Sequence, residues 1–553
     1  MFRKNDGHIE QDIFGGDPFA LANEFKRLEK SKYFYFYETI FCNIDEELFA
    51  PLYCQDNGRP NAPANILVSA IILKEKYNWS YVELIEQVRN NLAIRTALGL
   101  FSLGTMPFNE QTIFNFMNRL HDYEKSNDIN LFNEVFKSLT KRQLQGLKLK
   151  TGIARTDSFM VDSNIRSYGR LELLIEVILR FYRVFSDADK ALFVERYTEY
   201  EKRGSQHYIY EIAGSDLPHE HAQIAEAYYW IKCFIAGRYN TTEEYENFIR
   251  VYDEQFKFDE NEKLLLRDKS EVASDSLQSP DDPDATYRNK RNEKYHGQIA
   301  SVTETADPEN ALNIIIDIGI SPNNVDDSKI LNDRLSEIKE IVPDLEEIHF
   351  DGGYASSDND KMMQEMNIAQ VQTAVRGKKA KVEMKIEIIE NEGFKLSCPF
   401  GQKVMIEQTK TRYKACFDVN ICEQCSHKGD CPAYKGKNKG TFYLSNEYIL
   451  RKLRINNIKQ LPLDRRKLRA NVEATMHEFT YHTRGHKLRV RGFFKASLFV
   501  FATAIAINFG RIYRHLREND PKSEVLSLFS FLYGLIEDLS LKLCGKSRLT
   551  FQY

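Results

Sequence analysis

Five short apolar runs of strand length lie in the middle of this chain, and a long helical stretch parts the first from the other four. The first run, Gly152–Val161 (GIARTDSFMV), is bounded by glycine and alternates as a half-buried strand does. The others are Gln298–Thr303, Leu312–Ile318, Ile348–Phe350 and Ile368–Val375, with helical spacing of apolar residues over Ser328–Ile341. Between the first run and the second lies Leu171–Leu266, rich in Tyr, Phe, Glu and Ile, which reads as helical throughout. Interleaved strands and helices predict an α/β (α+β) core whose sheet is interrupted by one large helical insertion.

At 553 residues the chain exceeds what one core supports, about 250–300 residues, so several units are expected. The expected division is a helical N-terminal domain (1–150), a first core strand (151–165), a helical insertion (166–275), the rest of the sheet (286–378), a cysteine-rich insertion (379–445), a basic helix with its successor (446–517) and a helical tail (518–553). The acidic stretch SDSLQSPDDPDA, Ser274–Ala285, reads as a linker into the sheet. In the N-terminal part, Ile66, Ala70, Leu73 and Tyr77 mark one helix, and Val82, Ile85 and Val88 mark the next. Ser80 and Glu83 form a capping box after the Asn78-Trp79 break. The pair fits a helix-turn-helix or a plain helical hairpin. Helices are also expected over Leu463–Tyr481, Phe494–Leu516 and, as an amphipathic tail, Pro521–Leu543.

With 42% hydrophobic and 28% charged residues the composition is that of a folded protein, which excludes the disordered and fibrous classes. The start, MFRKNDGHIEQDIF, has no secretory pattern, and a cytoplasmic location is expected. The longest apolar stretch, Ala496–Ile507, is shorter than the ~20 residues of a membrane span and reads as a buried helix.

The net charge of −4 conceals an asymmetry. Val251–Ala285 holds eleven acidic and four basic residues, whereas Arg451–Lys495 holds thirteen Lys and Arg against Asp464, Glu473 and Glu478. A solvated helix face mixes both signs more evenly. A belt this basic is what contact with DNA phosphates requires, because each neutralised phosphate releases condensed counterions.

Three carboxylates stand where their element matters. Asp157 lies within the first strand, Asp351 closes the strand EEIHFD ahead of Gly352-Gly353, and Glu473 lies on the basic helix. Phosphodiester chemistry is served by two divalent ions about 3.5–4 Å apart, and Mg²⁺ needs only a few carboxylates besides water and phosphate oxygens. Singly, each residue also has an ordinary reading: turn chemistry for Asp351, a strand-end hydrogen bond for Asp157, and an i,i+4 ion pair with Arg469 for Glu473.

The strings that surround these residues resemble those of bacterial insertion-sequence transposases of the DDE class. RTDSFMVDSN (Arg155–Asn164), followed by Gly169-Arg170-Leu171, is similar to their first-Asp region, and EEIHFDGGYAS (Glu346–Ser356) to their second. NVEATMHEF (Asn471–Phe479) with RVRGFFKASLFVFATAIAIN (Arg489–Asn508) resembles their Glu helix and the segment after it. Gly58–Leu100 is similar to the helical domain ahead of their core, and the nearest group is the insertion sequence 1182 family. The resemblance implies an RNase H-like core, with Asp157, Asp351 and Glu473 holding two Mg²⁺ or Mn²⁺ ions. It also implies cleavage at element ends, joining of 3′ hydroxyls to target DNA, and at least a homodimer on double-stranded DNA. Asp162 is the rival of Asp157 for the first ligand.

Related transposases place Y-x₂-R-x₃-E-x₆-K around the Glu. Here Arg469 fills the Arg position, but Arg466 stands for the Tyr and Thr480 for the Lys. The DNA-binding candidates in the belt are Arg466, Arg469, Arg484, Lys487, Arg489, Arg491 and Lys495. A metal-dependent nuclease without strand transfer, and an inactive transposase-derived DNA-binding protein, are the rival functions.

Of the nine cysteines, Cys398, Cys416, Cys422, Cys425 and Cys431 crowd together. One Cys-x₂-Cys hook with two flanking thiols suits a closed structural Zn²⁺ site. Cys398, Cys422, Cys425 and Cys431 are the expected ligands, with Cys416 or His427 as replacements. Cys42, Cys54, Cys233 and Cys544 read as scattered core residues.

Overall fold

The computed structural model describes residues 1–5, 27–54, 58, 60–101, 106–290, 292–372, 381–389, 393–410, 412–434, 440–483 and 487–519. Its centre is a mixed sheet. Strand β1 (Ile153–Asp162) opens it, and a small hairpin of β2 (Phe256–Phe258) and β3 (Leu264–Leu266) lies apart in the insertion. The sheet resumes with β4 (Thr286–Lys290), β5 (Glu293–Thr305), β6 (Ile315–Pro322), β7 (Glu347–Phe350) and β8 (Ala369–Gln372). The order is β6-β5-β1-β7-β8. β1 is antiparallel to β5 and parallel to β7, and β7 is parallel to β8. β5 is long enough for its outer edge to pair twice, with β4 along Glu293–Gly297 and with β6 along Gln298–Glu304.

Alternation along β1 sends side chains to two helical layers. Ser158 donates to Asp327 of the helix Asp327–Ile341 at 2.6 Å on one face. Arg155 points to the other face, toward the turn before the helix Val472–Tyr481. The helix Phe493–Asn519 lies against the edge of the sheet, where buried Asn508 both accepts from the N–H and donates to the carbonyl of Ile315, each at 2.8 Å. A side-chain amide thus replaces a missing strand partner. This helix is long and apolar enough to cross a membrane, but 78% of its apolar window is buried inside the chain, which makes it a core helix.

One continuous apolar core joins the sheet, this helix and the N-terminal helices Ala64–Tyr77 and Leu131–Leu147. The insertion has its own core, built on Leu174, Phe181, Phe193, Tyr228 and Phe248 from the helices Arg170–Arg183, Asp187–Glu211, Leu217–Phe234 and Glu243–Gln255. A third core lies under the antiparallel sheet β9 (Lys385–Ile389), β10 (Gly393–Ser397), β11 (Lys403–Gln408), β12 (Tyr413–Cys416) and β13 (Thr441–Leu444).

Several expectations need correction. The basic helix Leu463–Tyr481 is broken into Leu463–Arg466, a 3₁₀ turn Leu468–Asn471 and Val472–Tyr481. Arg155 takes the Leu468 carbonyl at 3.1 Å, at the point where the helix breaks. The acidic stretch Ser274–Ala285 is no free linker. Ser279 and Asp282 are buried, the Ser163 hydroxyl donates to Asp282, and Asp282 and Asp284 accept from the Gly492 and Phe493 N–H groups at 2.9 and 3.0 Å. Its carboxylates therefore satisfy free donors at the start of the long helix, where negative charge is favoured. Cys42, Cys54 and Cys233 are exposed rather than core residues. Phe41 takes the buried position beside Cys42, and Ile231, two residues before Cys233, takes the buried face of that helix. Strand β8 is described over Ala369–Gln372, and the rest of the expected run to Val375, Cys544 and the tail Pro521–Leu543 lie outside the described residues.

Candidate functional site

The parallel pairing of β1 with β7 sets Arg155 opposite His349. Two residues farther on, facing the same way, come Asp157 and Asp351. Asp351 follows β7 directly and caps the 3₁₀ turn Gly352–Tyr354, its Oδ1 accepting from the Gly352 N–H at 2.6 Å. Asp157 does likewise within its strand, its Oδ1 accepting from the Ser158 N–H at 2.9 Å. Each aspartate thus spends one oxygen on the next residue's amide and keeps the other for the site.

Glu473 enters from the sheet's helical face, in the first turn of Val472–Tyr481, with its side chain 69% exposed. Arg469 lies between Glu473 and the sheet. Its guanidinium pairs with Oδ2 of Asp157 and reaches Oε1 of Glu473 at 3.5 Å. Burial raises the Asp157 carboxyl above its ordinary pKa and the nearby Asp351 charge raises it further, while Arg469 and the Ser158 amide oppose both.

Asp162 is not part of this group. It lies five residues along β1, about 16 Å away at strand rise and on the opposite face. Its carboxylate accepts from the His296 N–H at 3.2 Å, and its carbonyl accepts from the Leu488 N–H at 2.9 Å. Its position serves to dock the segment that precedes the long helix.

Beneath Glu473 lies a buried ionic network that the sequence reading missed. Glu304, fully buried, pairs with Arg155 at 2.6 Å and with Arg511 at 2.7 Å, and accepts from the Thr475 hydroxyl at 2.7 Å. Arg511 also donates to Thr475 at 2.6 Å and to Glu478. Strands β1 and β5, the Glu473 helix and the long helix are therefore tied through one carboxylate. A buried carboxylate is tolerable only when paired and hydrogen-bonded, as Glu304 is. The available sequence signal was a Glu within the apolar run of β5 and an Arg at the end of an apolar helix.

The basic belt is engaged largely by the chain itself. Arg465 pairs with Glu347 at 3.0 Å, Lys487 donates to the Ile165 carbonyl at 3.0 Å, and Arg489 to the Asn78 carbonyl at 2.6 Å. Arg491 donates to the Asn164 carbonyl at 2.7 Å and pairs with Asp281 at 3.0 Å. Lys487, Arg489, Arg491 and Lys495 nevertheless remain on the exposed surface. The side chain of Arg466 and all of Arg484 lie outside the described residues. In the N-terminal hairpin the capping box forms, with Ser80 and Glu83 each accepting from the other's N–H, at 3.2 and 2.6 Å. The exposed face of its second helix carries Glu83 and Glu86 against Arg89, a poor match to phosphate.

Cys398, Cys422, Cys425 and Cys431 gather between β10 and the short helix Val419–Glu423. Burial raises the Cys398 and Cys422 thiols, and the neighbouring cysteines add to the shift. Cys416 is exposed at the end of β12, and His427 stacks on Phe400 with ring centres 4.4 Å apart. Among the described residues no three His, Cys, Asp or Glu side chains stand close enough together to hold a metal ion, at the carboxylates or at the thiols. As they stand, neither set is a finished coordination sphere.

Residues 24–119 match the model of a transposase domain family, DUF772, and residues 397–513 match that of a transposase DDE domain. Both are transposase domains. Together they support a DNA transposase of the bacterial DDE insertion-sequence type, an enzyme that acts on DNA. The second match spans the cysteine cluster, Arg469 and Glu473, whereas Asp157 and Asp351 lie outside both. No curated protein and no solved structure gives a significant match.

Proposed function

We propose that this chain cleaves the ends of an insertion element and joins them to target DNA, with Asp157, Asp351 and Glu473 as the ligands of two Mg²⁺ or Mn²⁺ ions. The observation that carries the reading is that Asp157 and Asp351 each lie two residues beyond the paired Arg155 and His349 of parallel β1 and β7, with Glu473 linked to Asp157 through Arg469. The set is all oxygen, which suits a hard cation, and each aspartate has an oxygen beyond the one its neighbour's amide occupies. The antiparallel strands β6-β5-β1 continued by parallel β7 and β8 support an RNase H-like core. When bound, the ions would activate water or a DNA 3′ hydroxyl and neutralise charge on the phosphate.

The protein's part is placement. Strand register fixes the two aspartates, the Glu304 network fixes the helix of Glu473, and exposed Lys487, Arg489, Arg491 and Lys495, near the far end of β1, would serve as phosphate contacts along the DNA. No covalent protein intermediate is involved. Cys398, Cys422, Cys425 and Cys431 would close on a structural Zn²⁺ with a modest shift, remote from the chemistry. Since both element ends must meet, at least a dimer assembles on DNA.

The test supplies the protein with DNA carrying the sequences that flank its gene, Mg²⁺ and a target plasmid. Cleavage together with joined product is expected, and both are lost in Asp351→Ala and Glu473→Ala. Cleavage with no joining of pre-cleaved ends would make the protein a nuclease. Full cellular function in the two variants would make it a DNA-binding protein.

A further inference from the structure

We propose that Arg469 is the resident counter-cation of the carboxylate site, competing with divalent metal for Asp157 and Glu473. The inference rests on the metal-site reading above. Oδ1 of Asp157 is taken by the Ser158 amide, so Oδ2 is the oxygen left for an ion, and Oδ2 is the atom that Arg469 holds. The same guanidinium extends to Glu473, so one cation spans a strand residue and a helix residue of the candidate metal site.

Arginine cannot escape a competing cation by losing its proton. A divalent ion on Oδ2 would meet a fixed positive charge at close range, and part of the site is buried, where screening is weak. Metal entry therefore requires the Arg469 side chain to leave. The backbone beneath it is held, because Arg155 grips the Leu468 carbonyl. The exchange is thus a side-chain movement. The departing group gives up little else, since its buried Nε has no hydrogen-bond partner among the described residues.

Mn²⁺ binding to the DNA-free, full-length protein tests this without recourse to activity, by calorimetry or by the electron spin resonance of free Mn²⁺. Arg469→Gln and Arg469→Ala are each expected to tighten Mn²⁺ binding roughly tenfold, the equivalent of one lost competing ion pair. Arg469→Lys, which keeps the charge, should gain much less. Adding Asp351→Asn to either neutral variant should abolish the gain. Unchanged or weaker Mn²⁺ binding in both neutral variants, with Asp351→Asn still weakening it, would overturn the role of Arg469 and leave the metal site standing. If Asp351→Asn changed Mn²⁺ affinity in no background, the metal-site reading and this inference would fall together.

Discussion

Asp157 and Asp351 each lie two residues beyond Arg155 and His349, which pair on the parallel strands β1 and β7, although 194 positions separate the two aspartates in sequence. That relationship separates the two candidates for the first ligand. Asp157→Asn and Asp351→Asn should each lower Mg²⁺-dependent DNA cleavage by about a hundredfold or more. Asp162→Asn, on the far face, should keep most of the activity. Cleavage of a labelled DNA end under single-turnover conditions measures all three, and an inactive Asp162→Asn that melts normally would reverse the assignment.

Glu304 joins two arginines and a threonine in the core. Glu304→Ala would strand both guanidinium groups, at a cost on the order of 3–5 kcal/mol. Glu304→Gln, which keeps the shape and some hydrogen bonds, should cost less. Urea unfolding reads both, and a loss below about 1 kcal/mol in Glu304→Ala would mean that water satisfies the network.

The strands and the carboxylates were legible because their signals are local: alternation over a few residues, an Asp before two glycines, a Glu among arginines. Glu304 and Arg511 were not, since their meaning depends on a contact across 207 positions. The basic belt was legible as charge but not as partnership. Arg491 reads as a phosphate contact until Asp281 is seen beside it. The run Ser274–Ala285 carried every composition mark of a linker, yet its aspartates find amide donors at the start of the long helix. The break before Glu473 was hidden as well, because it coincides with a hydrogen bond from a residue on another element.

Lys76 offers a pH test remote from the chemistry. Burial, with the charges of Lys32 and Arg514, pushes its ammonium down to about 8 against the opposing pull of Glu478, and its Nζ lies 5.0 Å from the Phe509 ring centre. Below about pH 8 both folded and unfolded states are protonated, so the cost of burying the charge is fully present. Between there and the ordinary lysine value the folded state gives up its proton first, so stability rises with pH. Lys76→Met should stabilise the protein at pH 7 by on the order of 1–2 kcal/mol and flatten that rise. Melting curves from pH 7 to 10 decide it, and a variant that melts lower at every pH would refute the assignment.

The thiol cluster makes its own prediction. Protein purified without chelator should carry one Zn²⁺ per chain by elemental analysis, and Cys422→Ser or Cys425→Ser should lose it and melt several degrees lower. Four freely titrating thiols in the folded, metal-free protein would show that Cys398, Cys422, Cys425 and Cys431 pack as reduced side chains alone.

The separation of β1 from β5 bears on how the chain acquires its shape. About 130 residues intervene between Asp162 and Glu293, so the pairing that founds the sheet closes a long loop. The entropic cost of closure grows only with the logarithm of loop length, and it shrinks further if the intervening segment has already condensed. The insertion owns a separate aromatic core, so it can condense first and deliver its two ends to one another. Weakening that core, for example with Phe181→Ala, should therefore slow the appearance of the central sheet during refolding, although no atom of Phe181 belongs to it.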